Sequence, residues 1–593
     1  MHNSSHSVPA HSAPSAAPPA GTERPLAAGG ASDMAARRLW ALLLALRAGW
    51  CVLPQVGYLH PDEFFQSPEV MAGDILNLQV YYPWEFLSSS PCRTAVFPLL
   101  TSGFAYWVLK ALQRLDVCSP CVSSYSLLVA PRLLLTVFSF VLDYSVHRLA
   151  PLWGADPWAA LLLLAGSYVT LVFYTRPFTN TLEGFLFAFL LVLVCSRTPG
   201  SSCTKPKCSS LIGVVVAAGF FNRPTFLAFA LMPLLYWAGL NTGSQRSIKT
   251  LINPFLKLIT CACFTAVVFI AADTVYFTSV GLDGLFSSTN SSLLDVIAQL
   301  NHRAVLTPFN FLCYNLDSRN LAQHGSHPRV THFIVNGVML FGILHLLAIN
   351  AAFQMLKKYI RRLMRVGWCS NRGSPRLSVH SEGQSMLLLF YFVPLALLSL
   401  FSHQEPRFLI PLILPLVLFG ASHNRAVKWK TIIIIFNVLG AFLFGCLHQA
   451  GLIPCLFHLE HVVHSLQSSD HPRHYTLLFA HTYMPPRSLL NIEKKDTYVE
   501  VIDMAGSKED TLCQVIGQHT NNRTCSDCHF WVIIPGTVRA AISKCSVLLK
   551  NETLIFPHLS MEDPPQLSFL FSENWRSQLG LYILQIGTAQ QSL

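Results

Sequence analysis

About a dozen apolar runs dominate this chain, at roughly 39–59, 94–112, 123–145, 158–174, 181–195, 211–221, 226–240, 258–277, 333–352, 385–401, 408–421 and 432–447. A straight membrane span needs about 20 apolar residues, so several runs need amphipathic flanks or are re-entrant. With 52% of its residues hydrophobic, 12% charged and a mean hydropathy of +0.44, the chain reads as a polytopic α-helical membrane protein, not a set of soluble domains. The formal net charge of +11 does not point to nucleic acid, because the basic residues collect in short loops, Arg197 to Lys207, Arg246 to Lys257, Lys357 to Arg376 and Arg425 to Lys430. Such loops are the expected cytosolic faces.

Those faces set the rest of the topology. Residues 1–33 are rich in Ser, Ala, Pro and Gly and read as a disordered cytosolic tail. Leu39 to Leu59 carries one charge, Arg47, follows Arg37-Arg38, and reads as a retained signal anchor. Residues 34–454 form the polytopic domain, with luminal loops at 59–93 and 278–332. One run between 94 and 174 must not cross, which gives about eleven spans and a luminal C-terminus. Residues 455–593 lack apolar runs, alternate β-like segments with turns, and read as a small luminal α+β domain. Sequons at Asn522 and Asn551 favour that side, where Cys513, Cys525, Cys528 and Cys545 would pair as disulfides; in the cytosol the Cys525-Ser-Asp-Cys528 spacing would instead suggest zinc or redox chemistry.

The chemistry concentrates in His60-Pro61-Asp62-Glu63-Phe64-Phe65-Gln66, directly after the first span, with Trp84, Glu85 and Arg93 on the same loop. Adjacent acids on a helix point about 100 degrees apart, so one of Asp62 and Glu63 acts and the other orients or binds. A single carboxylate suffices when an acceptor hydroxyl loses its proton and the leaving group is already a stable anion such as phosphate. Arg176, Arg223, Arg303 and Arg407, all beside spans on the assigned luminal side, are the candidates to hold that phosphate. His403 and Glu405 crowd the Arg407 turn, and His60, Gln66 and Asn180 complete the candidate substrate-binding set. His302, His324, His327 and His332 share a loop with Tyr314-Asn315; their spacings fit no standard zinc site, so hydrogen bonding to a polar substrate is the expected role, and neither metal nor cofactor is expected.

The seven residues from His60 to Gln66 resemble the signature of the luminal mannosyltransferases that use dolichyl-phosphate mannose, and Ser402-His403-Gln404-Glu405-Pro406-Arg407-Phe408 is similar to that family's second motif, with Pro406 a small departure. Gly57 to Val70, Gly166 to Glu183, Ala217 to Ala230 and His474 to Arg487 are similar to the branch that adds the fourth mannose to a trimannosyl glycosylphosphatidylinositol (GPI) precursor. The resemblance implies a GT-C type fold in the endoplasmic reticulum membrane and an inverting α1,2-mannosyl transfer. In it Asp62 would be the base and dolichyl phosphate would depart toward arginines at the bilayer surface. A sister enzyme acting on the third GPI mannose or on a dolichol-linked oligosaccharide is the alternative within the class. A transporter would carry ionisable residues near the midplane, where only Asp143 and Asp273 approach that position.

Overall fold

Pro54 ends the first helix, because the residue before a proline is disfavoured from helical geometry and the proline has no N–H to donate. The structure is a computed structural model that describes residues 26–587 apart from 119, 196–205, 243–247, 279–303, 318, 321–324, 367–378, 423–424, 467–473, 497, 521–527 and 546. In it the first helix is Leu26–Val52, beginning inside the expected tail and stopping short of Leu59. The chain then threads inward without helix, Gly57 N–H donating to Gly445 O and Tyr58 N–H to His448 O, both at 2.9 Å. A Cβ on Gly57 would lie 2.2 Å from Phe444 O, so glycine is what permits this close approach.

Among the described residues three helices are long and apolar enough to cross a membrane, Ser124–Trp153, Ile252–Phe277 and Val427–Leu447. Shorter apolar helices, including Thr179–Cys195, Cys208–Asn222, Phe226–Gly239, Gly383–Leu398 and Pro406–Ala421, pack among them. Their shared core includes Leu135, Leu164, Phe187, Leu190, Leu395 and Leu414, each fully buried or nearly so. The run at 158–174 is in two pieces, a helix Pro157–Ala165 and a turn Val169–Phe173, with Gly166 capping the first. The run at 94–112 is helical through Arg114 and amphipathic, exposing Leu100, Phe104 and Trp107 while Ser102, Gly103 and Tyr106 are buried.

Two acids inside the helices have partners, one a guanidinium and the other neutral donors. Arg47 donates to Asp143 at 2.8 Å and to Ser139 at 3.1 Å, and Trp40 donates to the same carboxylate at 3.0 Å. Asp273 accepts from Thr94 Oγ1 and Thr307 Oγ1, each at 2.8 Å, and from Ala95 N–H at 3.0 Å. The two acids that came nearest to a transport signature therefore tie elements together.

The C-terminal domain holds a five-stranded sheet, with β1 His474–Phe479, β2 Val499–Asp503, β3 Cys528–Pro535, β4 Leu549–Ile555 and β5 Leu581–Ile586 in the order β2-β1-β3-β5-β4. β1 runs parallel to β2 and β3, while β5 runs antiparallel to β3 and β4. One sheet face packs on a helix, Glu509–Thr520, through Leu512 and Ile516. The opposite face shares a core with the loop after the first helix, since Tyr58, Phe64, Val70 and Met71 cluster with Leu477, Leu489 and Ile533. Cys513 and Cys545 form a disulfide, as do Cys118 and Cys121. Asn551 lies exposed on β4; Asn522, Cys525, His302, Arg303 and His324 lie outside the described residues.

Candidate active site

Pro61 opens a single helical turn, Asp62–Phe65, closed by Phe64 N–H and Phe65 N–H donating to Pro61 O at 3.0 and 3.1 Å. Phe64 anchors it edge-on against Tyr58, 5.1 Å between ring centroids. The two acids consequently face opposite ways.

Asp62 faces a cavity of about 590 Å³, which is also lined by His60, Glu85, Arg93, Arg223, His403, Glu405 and Arg407. Arg407 bridges Asp62 and Glu405. His403 Nε2 lies 2.7 Å from Glu405, and His60 lies 3.3 Å from Asp62 and 3.7 Å from Glu405. Gln66, one turn on from Asp62, donates to its carboxylate and accepts from Thr179 Oγ1 at 2.8 Å. Burial raises the Asp62 carboxyl, but Arg407, His60 and Arg93 outweigh it and hold the group well below the usual carboxylate range. Glu405 is held low in the same way, with burial opposed chiefly by Arg407 and His403.

Glu63 turns its back on the cavity. Its carboxylate is 1% exposed and accepts from Arg132 Nε at 2.9 Å and Arg176 Nη1 at 2.6 Å. Arg176 also donates to Gly57 O at 2.7 Å and Val172 O at 3.0 Å, and is itself 0% exposed. Glu63 therefore does not line the cavity and keeps the orienting role among those expected for the second acid, whereas Arg176 corrects an expectation: it has no face free for a phosphate, because it is enclosed against Glu63. Asn180 is likewise buried, accepting from Arg223 Nη1 at 3.0 Å and donating to Glu183 at 3.3 Å, so it orients Arg223 and does not line the cavity. His327 and His332 pack the turn that carries Glu405, His327 N–H donating to Ser402 O at 2.8 Å and His332 N–H to Gln404 Oε1 at 2.9 Å. Neither lines the cavity, unlike Tyr314 and Asn315 of their loop.

Arg223 differs from the other cavity arginines. It is 5% exposed, its guanidinium lies 4.8 Å over the Phe408 ring, and its Nε has no hydrogen-bond partner among the described residues. Burial and the like charge of Arg93 pull it down to about 10. Arg93 itself pairs with Glu85 at 2.9 Å. Three guanidiniums thus line one cavity, a setting that attracts an anion with several oxygens.

Sequence reasoning gave no role to Arg132, nor to Glu69 and the loop from His481 to Arg487, although the last two lie in stretches that carry the family resemblance. Arg132 sits inside an apolar run, and an intramembrane charge is by itself a signal to seek a partner. Buried Glu69 accepts from Ser488 Oγ at 2.6 Å, Arg487 N–H at 2.9 Å and Tyr81 N–H at 3.1 Å, fastening the C-terminal domain to the catalytic loop. Tyr483 stacks edge-on to Tyr58, 5.6 Å between centroids, Tyr58 Oη donates to Met484 O at 3.0 Å, and Met484 reaches the cavity.

The profile described as the Alg9-like mannosyltransferase family matches residues 38–490. The chain belongs to the Alg9-like mannosyltransferase family. Among its relatives, the human protein named GPI alpha-1,2-mannosyltransferase 4 is 51% identical, covering 93% of this chain and 94% of its own. The Drosophila melanogaster GPI mannosyltransferase 4 is 32% identical over 76% of this chain and 71% of its own. Among solved structures, ArnT from Cupriavidus metallidurans bound to undecaprenyl phosphate aligns with 95% of this chain and 98% of its own at a TM-score of 0.44 and 11% identity. As a member of the Alg9-like mannosyltransferase family, this chain brings the His60–Gln66 and Ser402–Phe408 motifs together at one cavity, joined through the Asp62–Arg407–Glu405 bridge.

Proposed function

We propose that this chain transfers mannose from dolichyl-phosphate mannose to the third mannose of a trimannosyl GPI precursor, forming an α1,2 linkage as the fourth mannose is added. The observation that carries the mechanism is Asp62 facing a cavity that Arg93, Arg223 and Arg407 also line. The acceptor hydroxyl oxygen attacks C1 of the donor mannose from the side opposite the phosphate, which inverts that carbon. Its proton passes to Asp62, the C1–O bond to phosphate breaks with both electrons on oxygen, and dolichyl phosphate leaves as an anion that needs no general acid.

Arg223 is the main candidate for that phosphate, since among the described residues none of its hydrogen bonds goes to a carboxylate, with Arg407 and Arg93 also lining the cavity. Held by Arg407, Asp62 is a weak base. Phosphate oxygens competing for Arg407 loosen that bridge and make the carboxylate a better proton acceptor. Leu398, Phe401 and Phe408, at the ends of apolar helices, line the side on which the isoprenoid would enter.

The site faces the lumen of the endoplasmic reticulum in this reading. If the amphipathic helix ending at Arg114 lies along the bilayer surface, the remaining helices make about eleven crossings, the basic loops fall on the cytosolic side, and the disulfide-bearing segments and Asn551 fall in an oxidising lumen. The test is purified protein with labelled dolichyl-phosphate mannose and a panel of GPI and dolichol-linked oligosaccharide acceptors. Label appearing on the trimannosyl GPI precursor is the expected result. Label confined to dolichol-linked oligosaccharide or to a dimannosyl GPI would transfer the assignment to a sister enzyme.

A further inference from the structure

Two kinds of side chain line the cavity: apolar Leu398, Phe401 and Phe408 from beside the ends of apolar helices, and the aromatic pair Trp84 and Tyr314, with Glu85 and Asn315 next to them in sequence. Trp84 and Tyr314 stack with ring centroids 4.1 Å apart and planes at 27°. Trp84 is 37% exposed, between Pro83 and Phe86, which are both buried. A partly exposed tryptophan lining a cavity, on a turn whose neighbours Pro83 and Phe86 are buried, presents a flat surface with little entropy to lose on contact.

The surface is braced from both sides. Tyr314 belongs to a helix, Thr307–Leu316, whose Thr307 donates to Asp273 at 2.8 Å and whose Asn310 donates to Pro91 O at 2.9 Å. Phe311 of the same helix lies 5.4 Å beneath the Arg93 guanidinium. On the other side Glu85, adjacent to Trp84, accepts from Arg93 at 3.0 Å and from Gln66 at 3.4 Å, and Gln66 also donates to Asp62. The aromatic pair is therefore fixed relative to Asp62 through two side chains.

We propose that Trp84, backed by Tyr314, is the platform for the acceptor, packing against the C–H face of the hexose whose hydroxyl Asp62 deprotonates. This rests on the functional reading above and specifies where that acceptor sits. A pyranose has an apolar face of axial C–H bonds and a rim of hydroxyls, so it matches an aromatic plane edged by a carboxylate and a carboxamide. In the proposed reaction the isoprenoid of the donor packs on apolar Leu398, Phe401 and Phe408, which leaves the aromatic pair for the glycan.

The experiment measures transfer by the purified full-length chain in phospholipid vesicles, varying dolichyl-phosphate mannose and a trimannosyl GPI acceptor separately. Trp84→Ala and Trp84→Leu each raise the acceptor KM by about tenfold, the donor KM stays within about twofold, and Trp84→Phe stays near wild type. If Trp84→Ala fails to fold, the Leu and Phe variants decide the matter, since both fill the site and only one carries a ring. A rise in donor KM instead, an acceptor KM that does not move, or a Leu variant equal to the Phe variant overturns the platform. Failure of the wild-type chain to use any GPI acceptor would instead overturn the functional reading.

Discussion

Asp62 and Glu63 are neighbours in sequence, yet they end in two arginine–carboxylate clusters of inverse make-up. At the front, one guanidinium, Arg407, is shared by two acids, Asp62 and Glu405, whose side chains are 23% and 17% exposed. At the rear, one carboxylate, Glu63, is shared by Arg132 and Arg176, and no member exceeds 3% exposure. The chemical groups are the same; access differs. A fully enclosed cluster has nothing to exchange with and fixes the turn, whereas the front cluster borders a cavity where, in the proposed reaction, an incoming phosphate would compete for the guanidinium. Burial of the partner, not the presence of an ion pair, separates the chemical acid from the structural one.

The strongest way to break this comparison is at the front acid. Asp62→Asn keeps the shape of the side chain and removes the base, so mannosyl transfer falls by on the order of a hundredfold to ten-thousandfold while yield and thermal unfolding hardly move. A variant that retains more than about a tenth of wild-type transfer would remove Asp62 from the role of base. The rear acid gives the opposite signature. Glu63→Gln leaves two buried guanidiniums without their counter-charge, which costs about 3 to 5 kcal/mol of stability, seen as a lowered unfolding midpoint in detergent. The fraction that folds keeps kcat within a few-fold. A kcat loss at Glu63 equal to that at Asp62, with stability intact, would erase the distinction between the clusters.

Much of the front cluster was legible in the chain. His60, Asp62, Arg223, His403, Glu405 and Arg407 all sit at the ends of apolar runs assigned to one face, and helices of similar length bring such ends together. Helical periodicity separates Asp62 from Glu63 by angle but does not set the phase, so which acid meets the cavity was not legible. Arg132 decides that phase from an element 69 residues away, and pairings of that kind leave no local pattern. Arg176 shows the converse: its position at a span end suited a phosphate as well as it suited Glu63. The contact from Tyr58 to Met484 crosses 426 residues, so the C-terminal domain's part in the cavity wall was equally out of reach. The sheet-forming segments at Tyr498 to Ile502 and Phe530 to Ile534 were readable because their β-rich composition is local.

Arg407 sharpens the comparison at the next level. Arg407→Lys keeps the positive charge but cannot serve Asp62 and Glu405 as a planar fork does, so one charge-assisted hydrogen bond is lost, about 1.5 to 3 kcal/mol. Donor use then weakens by roughly tenfold to a hundredfold, measured as kcat/KM for dolichyl-phosphate mannose. The acceptor KM is unchanged. Arg223→Lys, measured beside it, shows the larger donor defect if Arg223 is the main phosphate ligand. Wild-type donor kinetics in the Arg407 variant would place the phosphate entirely on Arg223 and Arg93.

The smallest predicted effect comes from a third acid on the same loop, Glu69, which is as buried as Glu63 but, among the described residues, is held only by neutral donors from Tyr81, Arg487 and Ser488. Burial, opposed by those hydrogen bonds, pushes its carboxyl from the ordinary 4.5 up to about 6. The folded state therefore binds this proton more tightly than the unfolded state does. The stability gained is full below pH 4.5 and is lost as pH rises through about 6, amounting to on the order of 2 kcal/mol. Glu69→Gln has no proton to lose, so the stability of the wild type relative to this variant should decline across that window and level off above it. Unfolding in detergent at closely spaced pH values between 4 and 7.5 measures the difference. A flat difference would mean that the hydrogen bonds alone keep Glu69 ionised, and that a buried acid on this loop needs no guanidinium to hold its charge.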